Sequence, residues 1–354
     1  MGLPSIVVKF KTQASTLIRR SQRGTIAIIL KDTAANGGHV IYRKEDIPAG
    51  IGAANKKYVE RAMIGNIDEP IKLIVYILPS DVDDYADALH YLETVKIDYL
   101  VGDPEITEAL CSAVAEWVKD ERDKGHNVKA VLPNTAADYE AVVNFTADEI
   151  KVGLDTYTTA QYCSRIAGLI VGTPLTQSIT YAVLPEVTAV KGYTKTELDT
   201  KIDNGELVLF SDGEKVKIGR GVTSLKTIQP NQTEALKKIK AVETMDMIQS
   251  DIISTCEESY IGKLANSYDN KCIIISAIDG YLTALETEGI LEARQSSVGI
   301  DLEEQRAYLL TKGVDVNELT ERELKEYNTD DKVFLEASIR LLDAIEDINL
   351  NIII

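Results

Sequence analysis

The sequence contains few of the residues on which catalysis and metal binding most often depend. Its 354 residues include three histidines and four cysteines, and no two cysteines form a CxxC pair. The cysteine spacing matches no zinc pattern and favours buried thiols in a reducing compartment. A Ser–His–Asp triad needs a histidine beside a nucleophile, whereas His39 lies in a turn signal and His126 follows a glycine that ends a helix pattern. The sequence therefore predicts no catalytic residue, no metal and no cofactor.

A phosphate-binding loop is also missing, because the pattern G-x-x-x-x-G-K-S/T does not occur. The nearest glycine-rich stretch, residues 50–55, resembles G-x-G-x-x-G but ends on Asn55 and follows no clear strand. We interpret it as the entry to a helix rather than as a dinucleotide site. Acidic pairs such as Asp83–Asp84 lack the spacing of a calcium loop and are interpreted as a solvated acidic face.

Basic residues are outnumbered: 38 lysines and arginines stand against 56 aspartates and glutamates, so the formal net charge is −18. Nucleic acids and anionic membranes need lysine and arginine to neutralise phosphate, so neither is a predicted partner. No apolar run approaches the roughly 18 residues that span a bilayer. The first residues lack the long apolar core of a signal peptide, so synthesis in the cytoplasm is expected.

What the sequence does contain is a regular succession of strand and helix patterns from residue 97 onward. Strands are predicted at residues 97–101 and 128–132, and helices at residues 104–124, 135–143 and 158–171. Such alternation implies right-handed crossovers and a mainly parallel sheet. The predicted fold class is α/β plus α+β. Its parts are an N-terminal arm and linker (1–22), a small β-rich domain (23–95), an α/β domain (96–228), a C-terminal α+β domain (229–341) and a C-terminal arm (342–354).

Both ends of the chain carry strand patterns without an evident partner. Apolar residues alternate through residues 333–341, the phase slips at Leu342–Asp343, and alternation resumes until the chain stops on three isoleucines. Such a strand needs a partner edge, either in its own sheet or in another molecule's. The side chains expected to make these contacts are Ile6, Val7, Val8 and Phe10 at one end, and Ile348, Leu350, Ile352 and Ile354 at the other.

A basic cluster formed by Lys237, Lys238 and Lys240 is unusual in so acidic a chain. It is interpreted either as an ordinary solvated helix face or as a surface that meets an acidic partner.

Three segments, in this order, resemble the tail sheath proteins of contractile phage tails and R-type bacteriocins of the Gram-positive prophage-like type. The first is RIAGLIVGTP at residues 165–174, which is followed by Ser178 and Thr180. The second runs from residue 204 to GRGVTSL at residues 219–225. The third comprises residues 245–252 and 260–267, which precede the closing arm. The resemblance extends from about residue 98 to the end of the chain.

The resemblance implies a structural protein and no enzyme. Subunits of this family stack as hexameric rings into a helical sheath around a tail tube, and terminal arms link neighbours by adding strands to their sheets. Contraction of the sheath drives the tube through a target envelope. The implied partners are further copies of the chain, a tail tube protein, and baseplate and terminator proteins, in a particle released from a bacterium by lysis. The lysine cluster would then face the tube.

Two alternatives stay open at this point. One is a cytosolic α/β enzyme, either a hydrolase or a nucleotide-using protein, which would need a pocket with perturbed titratable groups. The other is a different phage tail or baseplate protein that uses the same domain.

Overall fold

The structure is a computed structural model that describes residue 18, residues 23–230 and residues 232–353. These residues divide into two compact units. The larger unit contains residues 23–248 and 343–353 of the described chain, and the smaller contains residues 249–342.

The larger unit alternates strands and helices. Its strands are β1 (Thr25–Asp32), β2 (Gly37–Ile41), β3 (Lys72–Pro79), β4 (Tyr99–Val101), β5 (Lys129–Pro133), β6 (Val142–Phe145), β7 (Ile150–Val152), β8 (Asp155–Tyr157), β9 (Glu206–Leu207), β10 (Leu209–Ser211) and β11 (Val216–Ile218). Its helices are α1 (Ala53–Ala62), α2 (Ala86–Leu92), α3 (Glu108–Asp123), α4 (Thr159–Val171) and α5 (Lys195–Asp203), followed by α6 (Ile239–Ser259), which continues past residue 248.

A seven-stranded sheet in the order β2-β3-β1-β4-β5-β6-β9 organises this unit. All its neighbouring strands are parallel except β2 and β3. Ile26 and Ile28 of β1 join the core beneath α1 and α4, whereas Ala27 and Ile29 join the core beneath α2 and α3. The continuous apolar run of β1 is thus buried on both faces, as parallel sheets require. This confirms the predicted mainly parallel α/β fold.

Two details of the prediction are wrong. The boundary between residues 95 and 96 falls inside one sheet, because β1 pairs with β3 on one side and with β4 on the other. Because β1 is apolar on both faces, it needs helices on both sides of its sheet, and a small β-rich domain would not supply them. Residues 135–143 form no helix; Ala130 N–H donates to the Ala141 carbonyl at 2.9 Å, and β6 begins at Val142.

The RIAGLIVGTP segment forms the second half of α4 and the turn after it. A Cβ on Gly168 would lie 2.1 Å from the carbonyl oxygen of Ala62 in α1, and a Cβ on Gly172 would lie 2.2 Å from that of Asp68. Arg165, which is 2% exposed, donates to the Gly65 carbonyl at 2.7 Å and pairs with Glu186 at 2.6 Å. The two glycines therefore allow α1 and its following loop to approach the backbone of α4, and Arg165 fixes that loop.

A buried network of charges joins the first half of α6 to the sheet. Lys129 of β5 pairs with Asp246 at 2.7 Å and with Glu243 at 3.2 Å. Arg122 contacts both oxygens of Asp246, at 2.9 and 3.0 Å, and Arg23 pairs with Glu243. Burial alone would raise the pKa of Asp246, but Lys129 and Arg122 lower it below its ordinary value. The network therefore stabilises the fold above the unfolded carboxyl pKa of about 4 and loses that contribution as the pH falls below it.

The smaller unit contains the second half of α6, then α7 (Tyr268–Thr287), β12 (Ser297–Ile300), α8 (Leu302–Thr311), α9 (Glu321–Glu326) and β13 (Leu335–Ser338). It begins about 20 residues later than the predicted domain at 229–341, because the start of α6 belongs to the charge network of the larger unit. Strands β12 and β13 pair antiparallel as a two-stranded ribbon, which is extended by a bridge between Leu291 and Leu341.

We predict opposite effects of alanine at two helical glycines. Gly168→Ala should lower the free energy of unfolding by about 1–3 kcal/mol, because the new methyl group must push α1 away from α4. Gly280→Ala in α7 should instead raise stability by about 0.5–1 kcal/mol, because no atom lies within 4 Å of its Cβ position and alanine favours the helix. Denaturant unfolding measures both, and equal effects would contradict the packing described for α4.

Candidate functional site: the root of the C-terminal arm

Residues 343–353, called here the C-terminal arm, form no strand in the structure and expose most of their large apolar side chains. The exposed fractions are 86% for Ile345, 80% for Ile348, 77% for Leu350, 77% for Ile352 and 96% for Ile353. Soluble proteins rarely expose contiguous apolar surface of this kind unless it binds something. Of the predicted arm residues, Ile354 and the N-terminal set Ile6, Val7, Val8 and Phe10 lie outside the described residues.

One acidic side chain pins the start of the arm to the larger unit. Glu346 is only 11% exposed, and its Oε1 accepts hydrogen bonds from the Thr180 hydroxyl at 2.6 Å and the Ser178 hydroxyl at 3.2 Å. Its other oxygen lies 3.6 Å from Nε of Arg220. Thr180 in turn accepts from the backbone N–H of Gly221 at 3.0 Å, which fixes the hydroxyl. Hydrogen bonds to a charged group are the stronger class, so Glu346 dominates this attachment.

Two exposed ion pairs flank Glu346. Arg220 contacts both oxygens of Asp347 at 2.8 Å, and the Asp347 hydrogen bond raises the pKa of Arg220. Lys238 pairs with Asp343 at 2.9 Å. Asp347 and Asp343 are 76% and 58% exposed, so each pair contributes only about 0.2–1 kcal/mol. Ser178, Thr180, Arg220 and Lys238 together are called the arm cradle below.

The predicted lysine cluster is divided by these contacts. Lys238 belongs to the arm cradle, whereas Lys237 pairs with Glu234 one turn away at 2.8 Å. Lys240 is partly buried, and this burial lowers its pKa although Asp343 and Glu346 lie close to it. The cluster is therefore no uniform solvated face. That any of these lysines faces a tube stays a prediction.

Sequence reasoning missed the arm cradle as a site. Ser178, Thr180 and the segment around Arg220 were noticed only as parts of a family pattern. Asp343 was noticed only where the strand phase slips, and Glu346 and Asp347 only as part of the arm at 342–354. The available signal was charge, because three acidic residues directly precede the apolar tail in a chain whose acidic residues outnumber its basic ones.

The glycine-rich stretch at residues 50–55 leads into α1, as predicted. Its Gly52 N–H donates to the Asp32 carboxylate at 2.8 Å, and the Asn55 amide donates to the same oxygen at 2.8 Å. Burial alone would raise the pKa of Asp32, but these hydrogen bonds lower it. A carboxylate from the end of β1 therefore occupies the helix N-terminus at which a phosphate would bind.

Metal clusters and membrane-spanning helices are two other features that would indicate a function for residues 23–230 and 232–353. No group of three or more histidine, cysteine or acidic side chains in residues 23–230 and 232–353 could hold a metal ion. No helix in these ranges is long and apolar enough to cross a membrane.

Comparison with known proteins gives matches along the whole chain. A family model for the phage tail sheath protein central domain matches residues 80–224, and a model for the phage tail sheath C-terminal domain matches residues 231–354. A curated tail sheath protein of Clostridium phage phiCD119 is 39% identical over 357 residues and covers 99% of both chains. The Bacillus subtilis phage-like element PBSX protein XkdK is 25% identical, over 58% of this chain and 46% of its own length.

Solved structures share the fold at low identity. The contracted helical sheath of the anti-feeding prophage matches with a TM-score of 0.72 and 15% identity, over 100% of this chain and 99% of the other. A sheath tail protein of Desulfitobacterium hafniense matches with a TM-score of 0.69 and 15% identity, over 84% of this chain and 94% of the other.

Loss of the Thr180 hydroxyl should release the arm without unfolding the protein. Thr180→Val removes the shorter hydrogen bond to Glu346, and a bond to a charged group contributes roughly 1.5–3 kcal/mol. We expect endoproteinase Glu-C to cut after Glu346 at least tenfold faster, because cleavage follows the released population. Thr200→Val, which removes a hydroxyl bonded only within α5, is the control. Equal cleavage rates in the two variants would contradict the role given to Thr180.

Proposed function

The chain belongs to the phage tail sheath family and is a structural sheath subunit, and from this premise we propose that its copies stack as hexameric rings around a tail tube and exchange their terminal arms. The observation that carries the proposal is the C-terminal arm: it is anchored at Glu346 and leaves Ile348, Leu350 and Ile352 exposed beyond that point.

The pattern of the arm fits strand addition to another subunit. Ile348, Leu350 and Ile352 occupy alternate positions and are separated by Asn349 and Asn351, so an extended arm presents one apolar and one polar face. Burying each isoleucine or leucine contributes roughly 1.5–3 kcal/mol, before the cost of ordering the arm. Backbone hydrogen bonds to a sheet edge would add directionality and register.

The β12–β13 ribbon supplies an acceptor with the right properties. A two-stranded antiparallel sheet is marginally stable by itself, and in the described chain neither outer edge of this ribbon pairs with a further strand. Adding the arm of a second copy would complete a larger sheet. Unprotected edges of this kind are the usual templates for pairing between chains.

The particle assigned to this subunit is a phage tail or a related bacteriocin, made in a bacterial cytoplasm and released by lysis. Solved structures that share the fold include a helical sheath and a baseplate of the anti-feeding prophage, which supports further sheath subunits and baseplate proteins as neighbours. A terminator protein is part of the same proposal. The nucleotide-using form of the enzyme alternative is disfavoured because Asp32 occupies the N-terminus of α1, where a phosphate would bind. Contraction would then use the energy stored on assembly and no nucleotide.

The two faces of the arm should respond differently to the same new charge. Leu350→Asp and Ile352→Asp place a carboxylate on the face that would be buried and should abolish polymers. Asn349→Asp and Asn351→Asp add the same charge on the other face and should leave polymers intact. Electron microscopy and sedimentation report assembly, and circular dichroism reports folding.

The deletion of residues 349–354 provides the matching test of folding. Because these side chains are exposed where the structure describes them, the shortened monomer should stay folded while assembly is lost. A shortened chain that fails to fold would instead make the arm an internal strand, and equal effects of charge on both faces would exclude strand pairing.

The proposed contact with the tube can be tested at Lys237, whose ion pair leaves the arm cradle untouched. Lys237→Glu should uncouple tube from sheath while sheath self-assembly continues, as measured by co-sedimentation with tubes. Lys119→Glu is a matched control: Lys119 is 34% exposed and pairs one turn away with Glu116 at 2.8 Å, as Lys237, at 35%, does with Glu234. Unchanged tube attachment in Lys237→Glu would end this assignment.

A further inference from the structure

The chain enters the larger unit through a fixed point directly after the predicted N-terminal arm. Arg23 pairs with the buried carboxylate of Glu243 in α6 and donates to the carbonyls of Ile170 and Thr173 at 3.3 and 3.4 Å. The next two backbone N–H groups both donate to Asp98, at 2.7 and 2.8 Å. This group of contacts is called the N-terminal root.

The C-terminal arm is held by the segment that begins the same helix. Lys238, the residue before α6, pairs with Asp343. Backbone hydrogen bonds connect the neighbouring residues to the segment that carries Arg220. Ile239 N–H donates to the Gly221 carbonyl at 3.0 Å, and Thr223 N–H donates to the Lys237 carbonyl at 2.9 Å. A change in the position of this segment therefore moves both basic members of the arm cradle.

The two attachments are close together. Lys238 directly precedes α6, and Glu243 lies four positions after the first residue of that helix, which is about 6 Å along the helix axis. One small cleft is lined by Arg23 and Glu243 and also by Lys240, Gln177 and Ile179, the last two of which flank Ser178 of the arm cradle. Glu243 is 2% exposed and also pairs with Lys129 at 3.2 Å, so it cannot shift without disturbing β5.

From this arrangement we propose that residues 238–243 are a shared anchor that couples the two arms of one subunit. A helix turn is rigid, so release of one root alters the position of the groups that hold the other. In an assembled sheath, tension on either arm would reach the same helix start and pass through Lys129 into the central sheet. The inference rests on the proposed function only in treating residues 1–22 and 342–354 as arms, because the coupling is a property of the single subunit.

A double-mutant cycle on the full-length chain, at concentrations where it is monomeric, tests the coupling. Arg23→Gln weakens the N-terminal root, and Lys238→Gln weakens the arm cradle. Hydrogen exchange at the amides of Gly24 and Thr25 reports the first root, and Glu-C cleavage after Glu346 reports the second. Each rate is divided by the exchange rate of the β1 and β3 core amides, so that general destabilisation cancels.

We expect Arg23→Gln to raise the normalised cleavage after Glu346 at least threefold. Lys238→Gln should raise normalised exchange at Gly24 and Thr25 by a smaller factor, because the Lys238–Asp343 pair is exposed and weak. For each normalised rate, the increase in the double variant should be smaller than the product of the increases in the two single variants. Arg23→Lys keeps the positive charge beside Glu243, so it should raise the cleavage rate after Glu346 less than Arg23→Gln does. Lys57→Gln removes a comparable surface ion pair, with Asp155 at 2.9 Å, and should change neither root.

The coupling is excluded if each substitution alters only its own root. That result would leave strand exchange intact as a function, because assembly is scored separately by electron microscopy. Conversely, coupled roots in a chain that never assembles would support the anchor and contradict the proposed assembly by arm exchange.

Discussion

The Glu346 carboxylate accepts hydrogen bonds from two hydroxyls and pairs with one guanidinium. This contact fixes the point from which the arm leaves the folded subunit. Asp343, Glu346 and Asp347 attach this part of the chain to its own fold. Beyond Asp347, the large apolar side chains of the described residues face solvent. An arm without such an anchor could slide along its acceptor, and a slip of one residue would turn its isoleucines to the wrong face. Register in the proposed exchange thus depends on a polar contact made within the subunit.

A parallel α/β sheet with a crevice at its switch point is the architecture of many nucleotide-binding proteins. Here the same positions are filled by the chain's own groups. Asp32 takes the N–H donor of Gly52 at the start of α1, and Asp103 accepts from the Tyr85 hydroxyl beyond the end of β4. The fold therefore acts as a rigid scaffold, and the residues that carry function are sought at its surfaces and chain ends. This is an instance of the general rule that fold alone does not fix function.

Local patterns predicted much of this structure. The apolar helix ending at Val171 and the strands β4 and β5 were recognisable from periodicity and from the residues that bound them. The exposed arm was expected because its alternation had no nearby complement. The errors concern contacts distant in sequence. Whether β1 completes a small domain or the centre of a large sheet depends on pairing with β4, about 70 residues later, and no local pattern encodes that choice. The arm cradle was missed for the same reason, since Thr180 and Glu346 meet across 166 positions.

The account depends most on where the arm lies in an assembled particle. Cryo-electron microscopy of tubes grown from the purified chain would show this directly. The predicted result is continuous density for residues 348–353 as an added strand on the β12–β13 ribbon of another subunit, with Glu346 still bound in the cradle of its own. Tubes in which the arm folds back onto its own subunit, or contacts its neighbour without pairing with a strand, would contradict it.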